Sequence, residues 1–166
     1  WFWIRVMHFE SRYWSIDQLL HQTHDKNILE MSSGYSLRGL AMCEKEAVHY
    51  IDTDLPDVVA TKRQLIAQVG VGKDLKGQLD LVPLNAMDAS EFARVADKFG
   101  PGAMTVVNEG LLMYLDTAEK IQLCGTIRDL LKERGGCWIT ADIYVKRPEG
   151  MRAALPQSRK EAAFFE

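Results

Sequence analysis

Residues Thr105–Leu115 read TVVNEGLLMYL and place one carboxylate inside an otherwise apolar stretch. The VV pair is typical of the interior of a β-strand, and LLMYL indicates a second apolar element directly after it. Glu109 lies between the two. An unpaired carboxylate in such surroundings costs several kcal/mol unless a cation or several hydrogen-bond donors meet it. The stretch therefore predicts a strand-end carboxylate that binds a cationic group. A Glu109 that simply turns outward into solvent is the alternative.

Length and composition predict one globular domain. The chain has 166 residues, of which 47% are hydrophobic, enough for a core of its own. The net charge of −3 gives no electrostatic footprint for nucleic acid or an anionic membrane, and no apolar run approaches a membrane span. Cys43, Cys124 and Cys137 lack metal-ligand spacing, so we expect no metal site and a reducing compartment, the cytoplasm. Neither end carries a clear boundary signal, so we expect residues 1–166 to be a single domain that is incomplete at both ends.

Strand-like and helix-like patterns alternate along the chain. Five apolar runs predict strands at Asn27–Met31, Val48–Thr53, Leu79–Leu84, Met104–Asn108 and Cys137–Tyr144. Strands separated by single helices pair in parallel through right-handed crossovers. The sequence therefore predicts an α/β fold with a doubly wound, mostly parallel sheet. Its ligand is expected at the carboxyl ends of the strands.

Three of the intervening helices carry start signals. Ser36 is placed to cap a helix that runs to Glu46, and the motif DTAE at 116–119 is typical of a capping box. Pro56 stands at a first helical position. The helix that follows Pro56 is predicted to bury one apolar face, made of Val58, Val59, Leu65, Ile66 and Val69.

The turn after the first predicted strand contains a single useful glycine. Gly34 allows a positive φ or a close backbone approach, and the next helix presents free N–H groups nearby. The turn lacks the glycines of GxGxxG, with which a pyrophosphate reaches backbone amides. This counts against NAD or FAD and favours a nucleoside ligand without phosphates.

Polar side chains follow the next two predicted strands. Asp54, with Asp52 as second choice, lies about 20 residues after the glycine turn, where an acid accepts hydrogen bonds from both ribose hydroxyls. The alternative is that Asp54 only caps the helix that begins at Pro56. Asn85 or Asp88 is placed to bind an adenine amino group, although Asp88 is equally placed to cap the next helix.

Several of these segments together resemble a known family. The motifs ILEMSSGYSLRGL, YIDTDLPDVVATKR, LNAMD and VVNEGLLMYL resemble class I S-adenosylmethionine-dependent methyltransferases of the leucine carboxyl methyltransferase type. The resemblance is greater to the bacterial branch described as polyketide O-methyltransferases. It runs from HFESRYWSIDQLL to WITADIYVK, which is most of the chain. It implies a Rossmann-like methyltransferase fold, whose sheet in the family continues past the fifth strand, so this sheet is expected to be truncated there.

The resemblance also implies residue roles. Arg12 matches the arginine that pairs with the cofactor's carboxylate, and Glu109 matches the acid near its ammonium group. The Ser32–Gly34 turn matches the loop under the methionine part, with Ser32 in place of a common glycine. Arg38 matches a recurrent arginine whose role we interpret as structural. The remaining implied contacts are Asp54 with ribose, and Ala86 with either Asn85 or Asp88 beside adenine.

The resemblance implies an S-adenosylmethionine-dependent O-methyltransferase that acts on a carboxylate or hydroxyl of a small molecule. Methyl transfer from a sulfonium is an in-line displacement, so a dedicated base is optional and none stands out; Tyr114 is the candidate for orienting the acceptor. A nicotinamide-dependent oxidoreductase would want a multi-glycine turn and a Tyr-x-x-x-Lys pair on a helix, but the Gly34 turn has a single glycine, and Tyr144 with Lys146 has the wrong spacing and place. A non-catalytic fragment or interaction module remains the alternative. The sequence does not indicate the oligomeric state.

Overall fold

The computed structural model describes residues 2–70, 72 and 74–142. The strands are β1 (Asn27–Met31), β2 (His49–Asp54), β3 (Gln78–Pro83), β4 (Met104–Asn108) and β5 (Gly136–Thr140). The helices are α1 (Phe2–Thr23), α2 (Arg38–Lys45), α3 (Pro56–Val69), α4 (Ala89–Ala96) and α5 (Thr117–Arg134). A short 3-10 helix, Leu112–Tyr114, follows β4. No helix among the described residues combines the length and apolar character needed to cross a membrane.

The five strands form one parallel sheet in the order β3-β2-β1-β4-β5. The chain moves outward from β1 to β3 on one side and then returns to β4 on the other. The strand order thus reverses between β1 and β4, at the switch point of a doubly wound sheet. The predicted fold class is confirmed. The bounds of β1 and β4 match the prediction, β2 and β3 are displaced by one residue, and β5 ends at Thr140. Residues 143 and 144 of the predicted fifth strand lie outside the described residues.

Alternate residues of β1 contribute to two apolar layers, one on each face of the sheet. Leu29 and Met31 pack with α4 and α5, whereas Ile28 packs with α1 and α2. Both β1 and β4 are buried almost throughout, as expected for central strands covered on both faces. Because side chains alternate along a strand, Glu30 shares the face of Ile28 and is buried beneath α1 and α2.

Two of the three predicted helix starts are confirmed, since α3 begins at Pro56 and α5 has its capping box, and the third is displaced. Asp116 accepts a hydrogen bond from the N–H of Glu119 at 2.8 Å and its own N–H donates to the Glu119 side chain at 2.8 Å, which is the predicted capping box. The prediction that Ser36 caps α2 is wrong, because the helix begins at Arg38 and Leu37 holds the N-cap position. The Ser36 hydroxyl instead accepts from the Arg38 N–H at 3.2 Å, one residue outside the normal cap.

The predicted buried face of α3 is only partly correct. Leu65 and Val69 are 42% and 67% exposed, and the buried residues of this helix are Val59 and Lys62. A lysine enters the interior only with an anion beside it, because its desolvated charge is costly. The buried Lys62 therefore indicates a carboxylate under α3.

The first prediction concerns the entry into β5. Gly136 has φ +110°, and a Cβ there would lie 1.9 Å from the Met104 carbonyl oxygen. We expect Gly136→Ala to lower the free energy of unfolding by more than about 2 kcal/mol. The control is Gly125→Ala in α5, where nothing lies within 4 Å of a new Cβ, and which we expect to raise stability by up to about 1 kcal/mol. Urea unfolding followed by circular dichroism measures the free energy of unfolding of both variants and of wild type. A Gly136→Ala variant as stable as wild type would contradict the pairing of β5 with β4.

Candidate functional site

The polar residues singled out in the sequence gather at one edge of the sheet, where β1, β2 and β4 end side by side. Neighbouring strands lie about 4.8 Å apart, so side chains just beyond their ends lie close together, at the point where a doubly wound sheet has its ligand crevice. The site has two parts. One is a turn and an acid after β1 and β2, and the other is a group of charged residues around the end of β4.

The turn after β1 is held by Asp54. Ser32 and Gly34 both have positive φ angles, +51° and +55°. The N–H of Gly34 donates to Asp54 Oδ2 at 2.7 Å, and the N–H of Leu55 donates to Asp54 Oδ1 at 2.7 Å. Each carboxylate oxygen keeps a further lone pair, so Asp54 is fixed in position and still able to accept. Ser32 carries the strain that a glycine at this position would avoid.

Asp52, the second choice for a ribose ligand, is buried under α3. Lys62 and the hydroxyl of Ser33 both donate to its carboxylate. Burial raises the pKa of Asp52, and the charge of Lys62 opposes this rise. Lys62 also donates to Ser33 Oγ at 3.1 Å. Asp52 thus supports the Ser32–Gly34 turn, and Asp54 is the acid at the carboxyl end of β2.

Glu109 lies between two arginines at the end of β4. Its Oε2 accepts from Arg38 Nη2 at 2.9 Å, and its Oε1 lies 3.4 Å from Arg12 Nε. The Arg12 contact is not a hydrogen bond, because the buried Arg12 Nε has no hydrogen-bond partner within the described part of the chain. Arg12 Nη2 lies 3.6 Å from Asp142 Oδ1. The Arg12 side chain, only 13% exposed, is thus held between two carboxylates without bonding tightly to either.

Arg38 is the most heavily bonded cation of the site. It donates from Nε to Asp17 Oδ1 at 2.7 Å, from Nη1 to Glu30 and from Nη2 to Glu109. Burial alone would lower the pKa of Arg38, but Glu30 and the other anionic partners outweigh it, so the pKa is raised. Burial raises the pKa of Glu30, and the positive charge of Arg38 opposes this rise. The Tyr50 hydroxyl donates to the other Glu30 oxygen at 2.7 Å.

Asp142, two residues after the end of β5, belongs to the same group of charged residues, and the sequence analysis did not identify it. Its carboxylate accepts from the N–H groups of Gly110, Leu111 and Leu112 at 2.6, 2.7 and 2.9 Å, and from the Asn108 side chain at 2.8 Å. It therefore fixes the turn that carries Glu109. The available signal was an acid inside the apolar run CWITADIY, the same kind of signal that identified Glu109.

The segment after β3 forms a tight turn. Asn85 Oδ1 accepts from the Met87 N–H at 3.0 Å, and Ala86 packs against the apolar layer of α4 and α5. Asp88 caps α4 through Oδ1, which accepts from the N–H groups of Ser90 and Glu91 at 3.0 Å. These bonds, above all the one from Glu91, lower the pKa of Asp88. The cap alternative is thus confirmed for Asp88, and its Oδ2 takes part in neither bond.

Tyr114 lies apart from this network. It ends the short 3-10 helix and is 79% exposed. Among the described residues, no group of three or more His, Cys, Asp or Glu side chains is arranged to hold a metal ion.

The fold is the Rossmann-like methyltransferase fold. The chain is similar to the solved structure of magnesium protoporphyrin IX methyltransferase from Synechocystis PCC 6803 with bound SAH, with a TM-score of 0.61 and 13% identity. That match covers 98% of this chain and 65% of the other. The mitomycin 7-O-methyltransferase MmcR matches with a TM-score of 0.52 and 11% identity over 80% of this chain and 36% of its own. The glycopeptide N-methyltransferase MtfA, solved with S-adenosylmethionine, matches with a TM-score of 0.51 and 18% identity. That match covers 81% of this chain and 55% of the other.

The sequence itself identifies the family. The profile of the leucine carboxyl methyltransferase family matches residues 5–128, which is most of the chain. The chain therefore belongs to the leucine carboxyl methyltransferase family. A search of curated proteins found no sequence match. The chain spans about two thirds of the length of the Synechocystis methyltransferase.

The second prediction concerns Asp142. In Asp142→Asn, the amide group faces N–H donors that need an acceptor, so we expect a loss of about 2–3 kcal/mol in the free energy of unfolding. Hydrogen exchange at Gly110, Leu111 and Leu112 should quicken in the same variant. Asp129→Asn on the exposed face of α5 is the control and should change stability by less than about 0.5 kcal/mol. Unchanged exchange in Asp142→Asn would contradict the role of Asp142 in fixing this turn.

Proposed function

We propose that residues 1–166 form an S-adenosylmethionine-binding methyltransferase domain that transfers a methyl group to a carboxylate or hydroxyl of a small molecule. The observation that carries the proposal is the loosely paired Arg12 and Glu109 at the switch point of the sheet. The amino acid end of the cofactor carries one negative and one positive charge. A site for it needs a cation and an anion side by side, each with bonding capacity left for the ligand.

Arg12 and Glu109 meet this requirement. Arg12 has a buried donor without a hydrogen-bond partner, so it can bind a carboxylate without first breaking a strong bond. Glu109 has one oxygen held by Arg38 and a second that faces Arg12 at 3.4 Å, which is available to an ammonium group. In the proposed complex, the zwitterion would lie between the two side chains.

The charge around this end of the site also fits a sulfonium. Among the described residues, the guanidinium groups of Arg12 and Arg38 lie beside four carboxyl groups. The formal excess of negative charge favours a ligand with net positive charge over an anionic one. The four carboxyl groups are those of Asp17, Glu30, Glu109 and Asp142.

The nucleoside end is assigned to the neighbouring strand ends. Asp54 would accept from the ribose hydroxyls, because its carboxylate is fixed at the rim and keeps free lone pairs. The Ser32–Gly34 turn would lie under the methionine part. Ala86 would border the adenine, with its amino group bound by either Asn85 or Asp88. Asp88 Oδ2 is free of the cap bonds, which supports Asp88 as that acceptor.

The hydrogen bonds and ion pairs of the described carboxylates bear on the class of methyl acceptor. When bound, the cofactor supplies a methyl group on a positively charged sulfur. Glu109, Asp54 and Asp142 are all bonded to cations or backbone N–H groups, which leaves them poorly placed as general bases. A carboxylate acceptor is ionised at neutral pH and needs no base, which supports this substrate class. Tyr114 stays the candidate for orienting the acceptor through its exposed hydroxyl.

The third prediction tests the cofactor site. Titration calorimetry of the chain with S-adenosylhomocysteine should show saturable binding, and Asp54→Asn should weaken it about 10- to 100-fold because a charged acceptor for the ribose is lost. Asp57→Asn, an exposed acid three residues later, is the matched control and should bind like wild type. Equal affinities for all three proteins would contradict the ribose assignment. No binding by wild type would contradict the proposed function.

The fourth prediction separates an enzyme from a binding module. Incubation with labelled S-adenosylmethionine and a panel of small carboxylic acids and phenols should give a methyl ester or ether with one of them. The control is Glu109→Gln, which should lose turnover because it loses the anion for the ammonium group. Cofactor binding with no product across the panel would favour the non-catalytic alternative.

A further inference from the structure

We propose that Arg38 is a positioning residue that fixes Glu109 for the amino end of the cofactor without touching the cofactor. The inference rests on the proposed function and deepens it. It assigns to Arg38 a role in ligand affinity, beyond the structural role that the sequence indicates.

The bonds of Arg38 connect three separate elements. Its guanidinium is 1% exposed, and each of its three nitrogens bonds a different carboxylate. Asp17 belongs to α1, Glu30 to β1, and Glu109 to the turn after β4. The ring of Tyr13 stacks on the guanidinium, with its centroid 4.0 Å from Cζ. A planar group held at three edges and on one face has a single orientation.

That orientation determines which oxygen of Glu109 is free. Arg38 holds Oε2 at 2.9 Å, so Oε1 faces Arg12 at a distance longer than a hydrogen bond. Without Arg38, the Glu109 carboxylate would be free to turn and bond Arg12 with both oxygens. Such a pair would neutralise the cation and the anion that the zwitterion needs. Arg38 therefore keeps the Arg12 and Glu109 pair open.

Arg38 also fixes the second member of this pair. Asp17 and Arg12 lie five residues apart on α1, and Asp17 bonds Arg38 at 2.7 Å. The other end of the guanidinium is secured by Glu30, which the Tyr50 hydroxyl holds from behind. One side chain thus sets the position of both α1 and Glu109. Loss of this link would disturb the amino acid end of the site and leave the Asp54 end in place.

Two ligands separate the two ends of the site. S-adenosylhomocysteine carries the amino acid end, and 5′-methylthioadenosine keeps the nucleoside and the sulfur but lacks that end. We expect Arg38→Lys to lower the affinity for S-adenosylhomocysteine at least tenfold and the affinity for 5′-methylthioadenosine less than twofold, as measured by titration calorimetry. Lysine keeps the buried charge but cannot bond three carboxylates in one plane. Arg94→Lys, at a 70% exposed position in α4, is the control and should change neither affinity.

A second variant keeps the test decisive if Arg38→Lys does not fold. Asp17→Asn weakens one bond of Arg38 at a partly exposed position. It should lower the affinity for S-adenosylhomocysteine severalfold and leave the affinity for 5′-methylthioadenosine unchanged. An equal loss for both ligands, or no loss for either, would overturn the role of Arg38. A wild-type chain that binds 5′-methylthioadenosine but not S-adenosylhomocysteine would overturn the proposed function itself, and with it this inference.

Discussion

The carboxylate of Glu109, held between two arginines at the end of a central strand, is the interaction on which the rest of the site depends. A half-buried anion at this position requires cations, and they come from α1 and α2, on the same face of the sheet. Their ion pairs attach α1 to the strand ends. Asp142 adds a second constraint, because it binds the three backbone N–H groups that follow Glu109. The turn after β4 is thus held by charge from both sides.

The sheet topology explains why this charge becomes a binding site. The strand order reverses between β1 and β4, and a doubly wound sheet binds its ligand in the crevice at such a point. The Gly34 turn follows β1, Glu109 follows β4 and Asp54 ends β2, so the three come from neighbouring strand ends. Two buried ion pairs, Lys62 with Asp52 and Arg38 with Glu30, involve residues of β2 and β1 close to these strand ends. Side chains held in place by such ion pairs are preorganised for a polar ligand, which reduces the cost of ordering on binding.

The sequence was sufficient for the fold because its signals are local. β1 and β4 are short apolar runs between turn residues, and the capping box at Asp116 depends on residues three apart. The site was less predictable because its bonds join distant segments. Glu109 bonds an arginine 71 residues earlier in the chain, and nothing in either local pattern shows that pairing. Lys62 interrupts the apolar face of α3, so periodicity gave no indication that it is buried. Asp142 was missed because it lies inside the run CWITADIY, which was interpreted as one continuous strand, so its carboxylate was not recognised as lying beyond the strand end.

The most direct measurement of the central claim is a crystal structure of the chain with S-adenosylhomocysteine bound. We expect the amino acid end of the ligand to lie between Arg12 and Glu109, with its carboxylate on Arg12, its ammonium on the oxygen of Glu109 that Arg38 leaves free, and the ribose on Asp54. A ligand bound elsewhere, with the Arg12 and Glu109 contact still at 3.4 Å, would contradict the account.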